Sequence, residues 1–253
     1  MNREVRLRSG GEETTNGSVA GVLFDFHVHT PVSRCYSDRD AQPKEIVETA
    51  NSLGIDAIVV NDHHSPAALD DIRAAAQETS LTVFPALEIT TLHGHIVTVF
   101  DPDTENGTLL DLLRDLEVPD QEHGNGHYAV NPPMSAVIEA TVAAGGLPIP
   151  AHVDRWPNGF VEAQMERRTR FEIHDHPGID VLEITRPKTQ ELWQRGAVHG
   201  FPRPLACIQG SDAHALAEIG RRSTRVATDE LTVAGLRRAF RRINGATELM
   251  QWR

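Results

Sequence analysis

Thirteen histidines stand among the 253 residues, and several of them fall where metal chemistry would need them. His27 and His29 lie two apart in Asp25-Phe26-His27-Val28-His29, directly after an apolar run. In extended chain such residues point to the same side, so both imidazoles can grip one cation. Asn61-Asp62-His63-His64 closes a second short apolar run. There His63 can reach inward, and Asp62 can orient it through a hydrogen bond or else cap the helix that follows. Glu88 ends Val83-Phe84-Pro85-Ala86-Leu87. A glutamate closing an apolar strand is costly to bury unless it meets a cation, and its two oxygens can each take one ion. His152 ends Leu147-Pro148-Ile149-Pro150-Ala151, and Asp212 and His214 repeat the two-apart geometry in Gly210-Ser211-Asp212-Ala213-His214. Any one of these clusters could be a chance surface feature. Their shared position at strand ends, where barrel enzymes carry their chemistry, points to a multi-metal site.

The elements that must position these side chains alternate between short apolar runs and helical patterns, which predicts βα units. Strands are expected at Val22–Phe26, Asp56–Val60, Thr82–Leu87, His95–Phe100, Leu147–Ala151, Val181–Ile184 and Leu205–Gln209. Helices are expected at Pro43–Leu53, Pro66–Glu78, Leu109–Glu117, Met134–Ala144, Phe160–Phe171, Lys188–His199 and Thr232–Ile243. Pro43 and Pro66 suit a first helical turn, and Gly54 suits a stop. Only a few residues around His93 and Gly94 separate the third and fourth strands. A parallel crossover needs about a dozen, so these two strands should form a hairpin that brings His95 across from Glu88. Asp101–Pro133 reads as a long loop around one short helix, either a lid at the mouth or a surface excursion.

Composition narrows the function. The first twenty residues lack the apolar core of a signal peptide and read as a flexible polar leader. No stretch approaches the roughly 18 apolar residues of a membrane span. Two cysteines, Cys35 and Cys207, make no disulfide framework, so a cytoplasmic setting is expected, with Cys207 as core. A net charge of -12 disfavours long duplex nucleic acid but not a small anionic substrate or a short oligonucleotide, because bound cations reverse the local sign.

The order HVHT, NDHH, Glu88 within PALEIT, GHIVTVF, PAHVDR and GSDAHA resembles the PHP (polymerase and histidinol phosphatase) family, from about Val22 to Val226. The resemblance implies an α/β fold, a distorted TIM-like (β/α)7 barrel forming a single domain over 21–253. It also implies two or three divalent metal ions (manganese, zinc or iron) and hydrolysis of phosphate esters. His27, His29, Glu88 and Asp212 would hold a first cation, and His63 and His214 a second. His152, His95 and the other Glu88 oxygen would hold a third. Asp62 would orient a ligand or take a direct catalytic part. After HVHT the family commonly shows Ser-Asp-Gly or a histidine just beyond, whereas this chain has Ser33-Arg34-Cys35-Tyr36. Cys35 could give a thiolate to the second cation, favouring zinc, or Asp38 or water could complete that shell instead.

The chemistry expected is in-line attack on phosphorus by a metal-bridging hydroxide, with a small phosphorylated substrate held by Arg155 and Arg186 at the rim. Two rivals remain. An amidohydrolase-type barrel would cleave C–N or lactone bonds, and many of its binuclear members bridge their metals with a modified lysine. Only Lys44 and Lys188 occur here, and Glu88 fills the bridging place. The other rival is a metal-stabilised module that binds nucleotides without turnover, which retention of nearly all ligands argues against.

Overall fold

The computed structural model describes residues 21–251; the polar leader expected over residues 1–20 lies outside the described residues. The chain order is β1 (Val22–Val28), α1 (Pro43–Ser52), β2 (Ala57–Val60), α2 (Leu69–Ala76), β3 (Thr82–Thr91), β4 (Gly94–Val99), α3 (Asn106–Asp115), α4 (Met134–Ala143), β5 (Leu147–Pro150), α5 (Arg167–His174), β6 (Val181–Glu183), α6 (Gln190–Gln194), β7 (Ala206–Ile208), β8 (Arg222–Val226), α7 (Val233–Arg241) and β9 (Thr247–Gln251). Local chemistry explains the helix starts. Pro43 opens α1 behind a capping box of Gln42 and Glu45, and the Thr232 hydroxyl accepts from Gly235 N at 3.0 Å to open α7.

Seven strands form one sheet in the order β5-β4-β3-β2-β1-β8-β9, and β6 pairs with β7 in a second. β1, β2 and β3 run parallel, and β3 and β4 make the expected antiparallel hairpin, with Thr90 opposite His95. Because β4 runs backwards, His95 at its start sits at the same end of the sheet as Glu88 near the end of β3. The two sheets meet at single bridges rather than ladders. Val153 N donates to Glu183 O at 2.8 Å beside β5 and β6, and Ala213, beyond β7, pairs with Val28 of β1.

One strand face lies under the helices and carries Ile58, Val60, Leu87, Ile89, Ile96, Leu182 and Cys207. The other carries Phe24, Phe26, Val59, Phe84, Val97, Ile149, Val181 and Ile208, with Leu236 and Phe240 of α7 packed against them. On this second face Phe24 of β1 reaches Phe84 of β3 across β2, with ring centroids 5.6 Å apart, so the sheet is curled. Phe24 is fully buried and stacks on Phe26 at 4.7 Å; truncating such a side chain to alanine costs about 3–5 kcal/mol.

Four expectations are corrected. The helix expected over Phe160–Phe171 begins only at Arg167. The residues before it are taken up by turns, with Val161 N bonded to Val153 O and Phe160 buried against Phe201. The helix expected over Lys188–His199 shortens to α6, because the chain turns back at Ala197, whose N–H bonds Leu192 O. The helix expected from Pro66 begins at Leu69, after a turn. β8 and β9 were not expected: RSTRV and TELMQ are polar, amphipathic strands at the β1 side of the sheet, lacking the apolar run that marks β1 to β7. Among the described residues no helix is long and apolar enough to cross a membrane.

Candidate metal centre

A slip in β1 aims the first histidine pair. Val22, Phe24 and Phe26 pack on the inner face, whereas Val28 joins the helix-covered face. The alternation has shifted by one residue, at a register irregularity between Asp25 and Val28. Such a bulge re-aims side chains, and here it turns His27 and His29 inward. Glu88 shares the parity of inward Phe84 and Ala86, and His95 that of inward Val97. His152 and Asp212 reach the same space from left-handed backbone, at φ 31° and 51°. Non-glycine residues in that region are held there by their surroundings, commonly at functional sites.

The side chains converge into three donor groups: His27, His29, Glu88 and Asp212; His29, His63 and His214; and Glu88, His95 and His152. In the first, His27 Nε2 lies 3.2 Å from His29 Nε2, 3.4 Å from Glu88 Oε2 and 3.4 Å from Asp212 Oδ1. His29 Nε2 lies 3.2 Å from Glu88 Oε2 and 3.4 Å from Asp212 Oδ1. A tetrahedral ion with ligands at about 2.0–2.1 Å spaces those ligands about 3.3–3.4 Å apart. These donor pairs are therefore already spaced like corners of such a tetrahedron. Glu88 divides its carboxylate: Oε2 faces this group, while Oε1 lies 2.8 Å from His95 Nδ1 and 3.1 Å from His152 Nε2. His63 Nδ1 is buried 3.1 Å from Glu88 Oε2 yet makes no hydrogen bond, which suits a donor meant for a cation.

The far sides of the rings are held in place. His27 Nδ1 meets Glu183 Oε2 at 3.0 Å, His29 Nδ1 meets Ser33 Oγ at 3.1 Å, and His214 Nδ1 bonds Asp212 O at 2.9 Å. Each of these partners can accept a proton from Nδ1, which turns Nε2 toward the donor groups. Asp62 gives both oxygens to the Thr30–Ser33 turn that carries His29. It accepts from Thr30 N at 2.8 Å and from the Thr30 and Ser33 hydroxyls at 2.6 Å. Over the top, Gly124 N bonds His63 O, and a Cβ on Gly126 would lie 2.4 Å from His63 Nε2. Only glycine lets the His123–His127 segment press onto that ring.

Within the cluster, opposite charges offset one another. Burial pushes the carboxylates of Glu88 and Asp212 up, but the neighbouring histidines overrule it and hold both well below the usual range. Burial likewise opposes protonation of His29, yet the Asp212 and Glu88 carboxylates raise its pKa to about 9. For His63 burial wins, and the pKa falls to about 2.

Of the remaining expected site residues, Cys35 joins none of the three groups. It is exposed, and partial burial, with the charge of Glu88, pushes its thiol up to about 11. Arg155 does reach the centre, pairing through Nη1 with Asp212 Oδ2. Arg186 is engaged by Asp154 at 3.2 Å and Glu162 at 3.1 Å. Two residues that support the centre went unassigned in the sequence. Asp25 bonds Ser211 N and Gly220 N at 2.8 Å, tying the loop of Asp212 to β1. Glu183, besides holding His27, lies 3.3 Å from His152 N. Glu183 carried the same signal as Glu88, a glutamate closing an apolar strand.

The sequence model of the PHP-associated family matches residues 203–244, the stretch that contains Asp212 and His214. No curated protein matches by sequence. The fold is similar to that of a lesion-specific endonuclease from Pyrococcus furiosus, with a TM-score of 0.69 at 17% identity over 90% of this chain and 57% of that one. It is also similar to a two-domain protein from Bacteroides vulgatus containing a predicted PHP-like metal-dependent phosphoesterase, with a TM-score of 0.63 at 17% identity over 91% and 64%. An amidohydrolase from Chromobacterium violaceum, with bound sulfate and no metal, aligns with a TM-score of 0.53 at 16% identity over 76% of this chain and 87% of that one. This chain thus spans less than two thirds of the length of the first two structures. In its fold and its C-terminal segment it is similar to PHP-type proteins, the same likeness that its metal-ligand motifs carry.

Proposed function

We propose that this chain is a metal-dependent phosphoesterase, working on a distorted (β/α)7 barrel that forms a single domain over 21–253 in the cytoplasm. The observation that carries this reading is the divided carboxylate of Glu88, each oxygen facing a different histidine group at ligand-to-ligand spacing. Two or three divalent cations, manganese, zinc or iron, would be held there. His27, His29, Glu88 and Asp212 would hold the first, His29, His63 and His214 the second, and Glu88, His95 and His152 the third. When bound, such ions lower the pKa of water and neutralise phosphoryl oxygens.

The chain's own residues supply the rest. Glu183, Ser33 and the Asp212 carbonyl hold a proton on each Nδ1, so that Nε2 is the nitrogen turned to the ligating side, where a bound cation would take the place of a second proton. Arg155 already lies against Asp212, and its planar fork suits a non-bridging phosphoryl oxygen of a substrate at that edge. Arg186, with its guanidinium shared between Asp154 and Glu162, serves by bracing the Arg155 segment. Small phosphate esters and the ends of short oligonucleotides fit this centre. The endonuclease relative makes the oligonucleotide arm worth testing, and the amidohydrolase relative keeps C–N hydrolysis as the competing outcome. The test is a phosphate-release screen over monoesters and diesters, with manganese, zinc and iron each supplied. Release that is abolished by chelation and restored by one of these metals is expected. Hydrolysis confined to C–N or lactone substrates would overturn the assignment.

A further inference from the structure

Among the described residues two large apolar side chains are far more exposed than the rest, Trp156 at 77% and Leu92 at 74%, with Leu192 next at 47%. They belong to different segments that pack together beside the metal centre. Leu92 is at the tip of the β3–β4 hairpin, and Gly94 there, at φ +110°, lies so close to the next segment that a Cβ would meet Asn158 O at 2.6 Å. His95 N bonds that same carbonyl at 3.0 Å. Trp156 begins the turn that carries Asn158, a turn closed by Gly159 N on Arg155 O at 2.7 Å. One side of the turn is thereby fastened to the backbone of the ligand His95. On the other side Arg155, the residue next to Trp156, pairs with the ligand Asp212. The indole is held at the lip of the centre on a fixed backbone, yet most of its surface is left to water.

We propose that Trp156 is a stacking platform for a flat heterocycle carried by the phosphoester substrate, a nucleobase being the fitting class, with Leu92 extending the apolar lip. This inference rests on the phosphoesterase reading. An aromatic face binds any base through its π surface, independently of charge, which matters in a chain of net charge -12 that cannot draw polyanions by long-range attraction. Adjacent residues then divide the substrate: Trp156 takes the ring and Arg155 the phosphate. A protein partner is the weaker occupant, because anything docked over this turn would cover the mouth of the centre.

The test compares adenosine 5′- and 3′-monophosphate with ribose 5-phosphate, the same sugar phosphate without a base, with manganese supplied. The expected kcat/KM ratio favours the base-bearing substrate by about tenfold, the scale of one stacked base. In Trp156→Ala that ratio falls towards one through a rise in KM, and Trp156→Phe keeps most of it. A second readout needs no turnover: adenosine monophosphate should quench indole fluorescence where ribose 5-phosphate does not, and the quench should vanish in Trp156→Phe. Wild-type protein without base preference, equal losses on both substrates in Trp156→Ala, or a quench that persists in Trp156→Phe would each overturn the platform. Absence of phosphate release from every substrate with every metal would overturn the phosphoesterase reading instead, leaving the quench to judge the platform alone.

Discussion

Two regions of the molecule bury an imidazole completely and treat it in opposite ways. His29 lies in the metal centre and His174 lies on α5, packed against Trp193 and Phe201 with ring centroids 5.8 Å and 5.0 Å away. Burial opposes a proton on both. Around His29 the carboxylates of Asp212 and Glu88 outweigh burial and lift the pKa to about 9. Around His174 burial is joined by the positive charge of Arg203, and the pKa falls to about 4. Both ring nitrogens of His174 lack a hydrogen bond, whereas His29 has Ser33 on one side and the carboxylates on the other. A buried histidine is therefore not a site in itself. Carboxylates arranged at ligand spacing are what turn buried imidazoles into a centre that a divalent cation can enter.

The comparison breaks most decisively at Glu88. Glu88→Ala removes an oxygen from two donor groups at once, so it should cost more than one equivalent of bound metal by elemental analysis. Activity should fall at least about a thousandfold, since the cations carry the charge stabilisation of the reaction. Unchanged metal content would show that the cluster is a hydrogen-bonded core rather than a centre. A smaller change sharpens the point at Glu183, which touches the rings from behind. In Glu183→Gln the geometry at His27 Nδ1 and His152 N is kept while the charge is lost, and metal affinity should drop about 10- to 100-fold. A lowered unfolding temperature with metal affinity intact would reduce Glu183 to a structural prop.

How much of this was legible beforehand follows from the same physics. Most of the proposed ligand residues could be read because they lie at the ends of short apolar strands, where a polar side chain has no reason to be without a partner; His95, which opens β4, could be read only through the hairpin. The β3–β4 hairpin could be read because two residues cannot make a crossover. The bulge in β1 left no trace, because VLFDFHV shows no extra residue; only packing reveals where the alternation slips. Asp25 was visible within that motif, but its task of tying β1 to Ser211 and Gly220 spans nearly the whole chain and depends on tertiary closure. β8 and β9 escaped for a related reason. Their stability comes from pairing with β1 and with each other, not from an apolar sequence of their own.

The gentlest test lies at the other pole of the comparison. His174 is neutral in the folded chain, with its pKa held down to about 4 from an ordinary 6.5. Below pH 6.5 the unfolded chain takes up a proton that the folded chain refuses, so this residue's stability is intact above 6.5 and is lost as pH falls towards 4. His174→Phe keeps a ring among Trp193 and Phe201 and removes both unpartnered nitrogens. Denaturant midpoints at pH 7 and pH 5 should then show the wild type losing about 1 kcal/mol more than the variant on acidification. Equal losses would mean that His174 finds a proton acceptor on folding, and the contrast with His29 would lose its lower pole.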